Sequence, residues 1–511
     1  MLGLAGCPGV AGAQTPSVPA SAWTVYHHDP AGSGTAAAAG SVDTSRRSWT
    51  SPALDGQLYG EPLIAGGRVY VATEDDTVVA LSATTGAVTW ATHLATPVPA
   101  SSLPCGDISP TVGVTGTPVL DPARGELFVV DDALVAGRPS HRLVGLDAAS
   151  GRVESTTDVD PSGADPAAIL QRTGLNLSDG QVVFGFGGND GDCSTYRGWV
   201  VAVGEDGGAP RDFAVDSGPG ESQGAIWMGG AAPTVDAEGD IWVSAGNGSV
   251  TSPGHPYDHS DSVLELSPAL QLLQFFAPTT WASDNLADRD FSMAPALLPG
   301  DRVMIAGKSR IAFLLDGARL GGIGGQLAEL ASVCSQDVEG GAAVVGTTVY
   351  LPCQSGTVAV RSTASPPGVR LLWSSRVGGG PPIVAAGLIW TIGQDGTLSG
   401  LDPVTGVVRQ QASIGAPANH FPTPSAGGGL LVAPSSDRVV AFRAPAPGSP
   451  TTETTGAGGH RPPAPVDGDG GPSGSVLAGI VVGGLAIVGG TGWLVWRRRR
   501  RSSSPPVPTR G

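Results

Sequence analysis

The stretch GGRVYVATEDDTVVALSATTGAVTW, residues 66–90, decides the fold. Val69 and Val71 alternate with polar neighbours as one strand. Thr77–Leu81 form a second, and Thr85-Gly86 turn the chain into a third that starts at Val88 and reaches Trp90. Apolar residues at a period of two mark a strand with one buried face, and Thr-Gly is turn chemistry.

Degenerate copies of the first two strands recur at Glu126–Val130 with Leu143–Leu146, Gln181–Phe184 with Trp199–Val203, and Asp240–Val243 with Ser262–Leu266. Four more follow: Arg302–Ile305 with Ile311–Leu315, Thr348–Leu351 with Thr357–Val360, Leu388–Ile392 with Thr397–Leu401, and Leu430–Val432 with Arg438–Phe442. The turn signature returns as Ala149-Ser150-Gly151 and Val404-Thr405-Gly406, each shortly after a Leu-Asp pair. Eight four-stranded units over roughly 420 residues give about 52 residues per unit, which is propeller range. A solenoid of strands would need periods nearer 20 to 30 residues and polar caps, at roughly that scale. The expected fold is therefore all-β: an eight-bladed β-propeller of four-stranded antiparallel blades over residues 23–443, with one C-terminal transmembrane helix. Helix signal ahead of that segment is confined to Ala318–Ser332, and Trp23–His27 is expected to complete the last blade.

The membrane segment is read from Val476 to Trp496, VLAGIVVGGLAIVGGTGWLVW, which carries no charge and is followed at once by Arg497–Arg501. At 1.5 Å per residue it spans roughly 30 Å of hydrocarbon. The arginines place the 497–511 tail in the cytoplasm and everything before the helix outside. Residues 444–474, rich in Pro, Gly and Thr, read as a flexible stalk. Residues 1–22 read as the remainder of an export signal. Ala11-Gly12-Ala13 resembles a signal peptidase site, and Leu4-Ala5-Gly6-Cys7 resembles a lipoprotein box, making Cys7 a candidate for lipidation.

Against 45 acidic residues stand 28 basic ones, a net charge of −17, and Lys308 is the only lysine. Such a surface repels phosphate backbones, so no nucleic acid is expected as partner. No G-x-S-x-G, H-E-x-x-H or Walker pattern occurs, which leaves hydrolase and nucleotide-binding readings without support.

The G-x-V-Y-V, V-x-A-L and T-G-x-x-x-W elements of the repeat resemble the pyrroloquinoline quinone (PQQ) repeat, found in eight-bladed quinoprotein dehydrogenases and in outer-membrane assembly scaffold lipoproteins. With a single lysine and abundant Gly, Ala, Pro and Arg, the chain resembles a membrane-anchored, actinobacterial form of that family. The resemblance to the dehydrogenases implies a set of site positions. Trp242-Val243-Ser244-Ala245-Gly246-Asn247 is similar to their strand ending in Gly-Asn, which makes Asn247 a candidate calcium ligand. Trp227 is similar to the tryptophan that stacks beneath the quinone, Asp290 (with Asp288 as its neighbour) to the aspartate that takes the alcohol proton, and Lys308 to the basic residue at the quinone oxygens. Two positions depart from the pattern. The enzymes carry a calcium-binding glutamate where this chain has Tyr59, with Glu61 two residues on, and a disulfide between adjacent cysteines, whereas no two cysteines are adjacent here.

Five cysteines in a chain exported from a bacterial cell read as two bridges and one removable residue. Of the three pairings open to the last four, Cys334 with Cys353 and Cys105 with Cys193 are favoured. Asp190 and Asp192, with Asn189 in GGNDGDC, offer oxygens to a calcium loop, set against a plain Asx-Gly turn. His255, Asp258, His259 and Asp261 are metal-capable without a standard zinc spacing, and His27, His28 and Asp29 read as structural. The expected function is a non-catalytic recognition or scaffold module at the cell envelope, with no cofactor and with an envelope protein or cell-wall ligand as partner. The alternative is a PQQ- and calcium-dependent dehydrogenase of alcohols or sugars, with Trp227, Asn247, Asp290 and Lys308 around the quinone.

Overall fold

The structure is a computed structural model that describes residues 22–36 and 41–444. The expected signal remainder with Cys7, the stalk beyond residue 444, the membrane segment and the basic tail lie outside the described residues. Among those described, no helix is long and apolar enough to cross a membrane.

Eight antiparallel sheets follow one another along the chain, each with four principal strands. The first comprises Leu63–Ala65, Arg68–Ala72, Thr77–Ser82 and Val88–His93. Its second and third strands are almost wholly buried because both faces are covered by neighbouring blades, whereas the fourth alternates toward solvent. This gradient explains why the second and third strands of every unit were the legible ones.

The ring closes differently from expectation. The last blade (Ser425–Gly427, Leu430–Ser435, Arg438–Arg443) takes Trp49–Thr50 as its outer strand, with Trp49 opposite Ala441 and Thr50 opposite Val440. Trp23–His27 has another place. Trp23, Val25 and Tyr26 are all buried, and an outer blade strand, half exposed, has no room for such a run. The segment from Trp23 to Ala36 instead passes along the first strands of successive blades. Trp23 N–H donates to Ile64 O at 2.7 Å, Leu120 N–H to Thr24 O at 2.8 Å, Val235 N–H to Pro30 O at 2.8 Å, Val344 N–H to Ser33 O at 2.8 Å and Ala36 N–H to Val384 O at 2.9 Å. It forms a strap across one end of the channel.

The helix expected in Ala318–Ser332 is absent. Two short strands stand there, Gly322–Ile323 and Ala328–Leu330, because Gly321, Gly322 and Gly324 all take positive φ and break a helical path. The α-helix among the described residues is Trp281–Ala287.

The spacing of the Thr-Gly turn and the tryptophan has a packing cause. Trp90, on the outer strand of the first blade, lies flat on Gly151 in the turn of the second, and its indole N–H donates to Ala148 O at 3.2 Å. Trp49 covers Gly86 and donates to Ala83 O at 3.1 Å, and Trp373 covers Gly406 and donates to Pro403 O at 3.1 Å. In each case the carbonyl belongs to the residue three before the glycine. A Cβ on any of these glycines would stand 2.4 to 2.5 Å from the ring, so the sequence signature is the contact between adjacent blades.

Candidate functional site

The candidate residues come from loops at the end of the channel opposite the strap, just before first strands or just after second ones. Asn247 follows Ile241–Ala245, Lys308 follows Arg302–Ile305, and Asp290 precedes Ala296–Leu298. Asp288 ends the helix Trp281–Ala287 with φ at 54°, a left-handed conformation that aspartate tolerates better than most residues.

These positions meet. Lys308 Nζ lies 2.9 Å from Asp288 Oδ1 and 3.0 Å from Asp290 Oδ1. Asn247 Nδ2 donates to Asp288 Oδ1 at 2.7 Å, and the Lys308 N–H donates to Asp290 O at 2.9 Å. Trp227 completes the group across Gly246. A Cβ on that glycine would stand 3.1 Å from Asp290 Oδ2 and 3.3 Å from Trp227 Cδ1, so a side chain there would crowd both.

The Asp290 side chain is 4% exposed, whereas that of Asp288 is 70% exposed. Burial pushes the Asp290 carboxyl up to about 6, against the pull of the Lys308 ammonium. Burial works against the charge of Lys308, but Asp290 and Asp288 outweigh it and hold its pKa above the ordinary lysine value. The group thus offers a buried carboxylate that titrates near neutrality, beside a permanent cation.

Toward the channel axis a second set of residues lines a cleft: Tyr26, Tyr59, Glu61, Thr115, Thr117, Arg172, Asn419 and Phe421. The Arg172 side chain is 8% exposed and, among the described residues, makes no hydrogen bond. Its nearest carboxylate is Asp107 at 4.0 Å, and its guanidinium rests 5.2 Å from the centre of the Phe421 ring. A sheltered guanidinium with its donors unspent is a place for an anion. Sequence reasoning passed over Arg172. It is the only basic residue between Pro161 and Leu177, but no local motif surrounds it.

Tyr59 and Glu61 both border this cleft. Glu61 accepts a hydrogen bond from the His27 N–H at 2.8 Å, and burial holds its carboxyl well above the usual range, so it belongs to the cleft and the strap, apart from the hydrogen-bonded Asn247–Asp290 group. Asp190 and Asp192 do not join that group either. Asp192 Oδ1 accepts from the Tyr196 hydroxyl at 2.7 Å, and Asn189 Nδ2 donates to Ala167 O at 2.8 Å, so both side chains are tied into their own loop region. His259 packs edge-on against Phe275 with ring centres 5.3 Å apart. Among the described residues, the group of three acids whose oxygens gather within 4.8 Å is Asp236, Asp240 and Glu265, away from all of these.

Both expected bridges are present, Cys105–Cys193 with Cα atoms 6.2 Å apart and Cys334–Cys353 at 5.8 Å. The first ties the loop bearing Asp107 to the third blade. Asp107 then faces Arg172 and, at 3.7 Å, His420 of the last blade's loop.

Do these residues fit a quinone and a hard cation? Asn247 Oδ1 is buried without a hydrogen-bond partner, and Asp290 Oδ1 meets only the Lys308 ammonium. An amide oxygen left unspent in a buried site beside a carboxylate suits a calcium-class ion. Arg172 suits a carboxylate-bearing cofactor, and Trp227 supplies a flat ring. They fit.

An eight-bladed propeller whose blades are joined by Trp-on-Gly contacts is consistent with the PQQ-like repeat that the sequence resembles, and a family model matches part of the chain. The profile described as outer membrane protein assembly factor BamB matches residues 31–203. A polyvinylalcohol dehydrogenase of Sphingopyxis sp. (strain 113P3) is 28% identical over 261 residues, which is 46% of this chain and 35% of the relative, so only about a third of that relative's length is spanned. Among solved structures, a quinohemoprotein alcohol dehydrogenase from Pseudomonas putida HK5 superposes with a TM-score of 0.61 at 14% identity, covering 84% of this chain and 83% of its own. A europium-containing methanol dehydrogenase gives 0.61 at 13% identity, covering 83% of this chain and 98% of its own. At these identities the solved structures establish the fold. The expectation of a body without a cofactor is overturned by these similarities, since the relatives are dehydrogenases, one a quinohemoprotein and one containing a lanthanide ion.

Proposed function

We propose that the chain is a quinoprotein-type dehydrogenase acting on hydroxyl compounds. The observation that carries this reading is the meeting of Trp227, Asn247, Asp290 and Lys308 from separate loops at one place, with the oxygen of Asn247 unspent. The similarity to alcohol and polyvinylalcohol dehydrogenases supports it over the scaffold reading.

In this reading Asn247 Oδ1 contributes an oxygen to a calcium-class ion, Trp227 offers the face on which a quinone ring lies, and Arg172 with Thr117 holds its carboxylates. When bound, PQQ with its metal supplies the two-electron oxidant. The chain's own part is proton handling and orientation. A substrate hydroxyl placed against Asp290 gives its proton to the carboxylate, which above about pH 6 is ionised. Lys308 holds that carboxylate in place and favours its charged form, at 3.0 Å. Burial of Asp290 keeps bulk water from competing for the proton.

The deciding experiment is titration of the purified chain with PQQ and calcium, followed by a dye-linked screen of primary, secondary and polymeric alcohols. Saturable binding with turnover supports the reading, and no binding at about 100 µM quinone with millimolar calcium, well above ordinary cofactor affinities, removes it. A location outside the membrane, anchored by residues 476–496 with the arginines inside, belongs to the same proposal. The two disulfides support it, because such bridges persist in oxidising compartments.

A further inference from the structure

We propose that Asn285, on the helix Trp281–Ala287, is a positioning residue that holds the Asn247–Gly248 turn so that Asn247 Oδ1 faces a hard cation. This inference rests on the reading of the site given above and deepens it.

The helix grips the turn twice. Asn285 is 8% exposed and spends its amide in three directions: Oδ1 accepts from the Gly248 N–H at 2.8 Å, and Nδ2 donates to Val250 O at 2.6 Å and to Ser260 Oγ at 2.8 Å. Ser260 Oγ in turn donates to Asp258 Oδ1 at 2.6 Å, which fixes the direction of every bond in the chain. Three residues on, at the C-terminal cap of the same helix, Asp288 accepts from Asn247 Nδ2. A carboxylate can only accept, so the amide nitrogen of Asn247 must face Asp288 and its oxygen must face away. That oxygen is the buried one without a partner.

Close packing leaves the turn no alternative path. A Cβ on Gly248 would stand 2.5 Å from Asp258 Oδ2 and 2.6 Å from Ser260 Cβ, so the backbone is pressed flat against the element Asn285 secures. The helix itself is anchored from below: Trp281 is 4% exposed and packs edge-on against Tyr257 with ring centres 5.0 Å apart. Partners that orient a metal ligand from behind commonly matter about 10- to 100-fold in metal affinity.

The test is titration of the full chain with terbium(III), read by luminescence sensitised through the nearby indole of Trp227, with calcium as competitor. Asn285→Ala is expected to weaken terbium binding about 10- to 100-fold, and Ser260→Ala, which removes the hydroxyl that orients the Asn285 amide, about 10-fold. If Asn285→Ala fails to fold, as its melting curve would reveal, Ser260→Ala decides. Should Asn247→Ala abolish binding while both other variants stay within about twofold of the parent, the positioning role falls and the metal site stands, because the ligand then needs no help to point. Terbium binding that Asn247→Ala leaves unchanged removes the site and the inference together.

Discussion

Lys308 Nζ stands 3.0 Å from Asp290 Oδ1 and pulls its pKa down while burial drives it up, so the acidity of the candidate base is a balance between the two residues. In the proposed reaction Asp290 accepts the hydroxyl proton and so has to be ionised. The kcat/KM for alcohol oxidation should therefore rise with pH through about 6 in the parent chain. Lys308→Met removes the opposing charge, so the rising limb should move to higher pH. Asp290→Asn should lower turnover by about 10²- to 10⁴-fold, the usual worth of a positioned general base. Steady-state rates between pH 5 and 9 check all three.

Arg172 is expected to matter for cofactor affinity more than for chemistry, since it lies in the axial cleft beside Phe421, not in the Asp290 group. Arg172→Leu keeps the bulk and removes the charge. Calorimetry should then give a PQQ dissociation constant about 10- to 100-fold weaker, the order expected for hydrogen bonds to a charged group. An unchanged constant would mean that the unspent guanidinium serves something else.

Gly151→Ala tests the contact between blades. The added methyl would lie 2.4 Å from the Trp90 ring, and φ at 75° strains any side chain. The loss should be about 1–3 kcal/mol in denaturant unfolding. Gly137→Ala serves as a comparison, because it has a similar positive φ with open space around its Cβ and should lose less.

Asp76 predicts an alkaline weakness. It is fully buried, neither of its oxygens has a hydrogen-bond partner, and burial together with Asp131, Asp132 and Glu74 pushes its pKa up to about 10. Above the ordinary carboxyl value the folded chain keeps a proton that the unfolded chain has released. Stability from this group therefore falls as pH rises toward 10, by up to about 1.4 kcal/mol per pH unit. Urea midpoints measured from pH 6 to 9 should decline, and Asp76→Asn should flatten the decline.

The fold was legible because its joints are local. Thr-Gly and a tryptophan repeat in sequence as they touch in space, one blade apart. The strap was misjudged for the opposite reason: Trp23–Ala36 bonds to strands of six blades, and no pattern inside the segment records partners up to 350 positions away, as in the Val384 N–H bond to Gly34 O. The site divides in the same way. Asn247 and Lys308 stand out locally, one after a Gly at a strand end and one as the sole lysine. Arg172 and Asn285 carry their meaning in bonds left unmade or made at long range, which sequence does not display.

The strap makes the central channel a well with one door. In the proposed reading a substrate would reach Asp290 from the loop side, opposite the strap, and its product would leave by that side. A long chain cannot be threaded through the ring like a bead. It would have to be offered sideways, one segment at a time, past the rim where Asp107 faces His420.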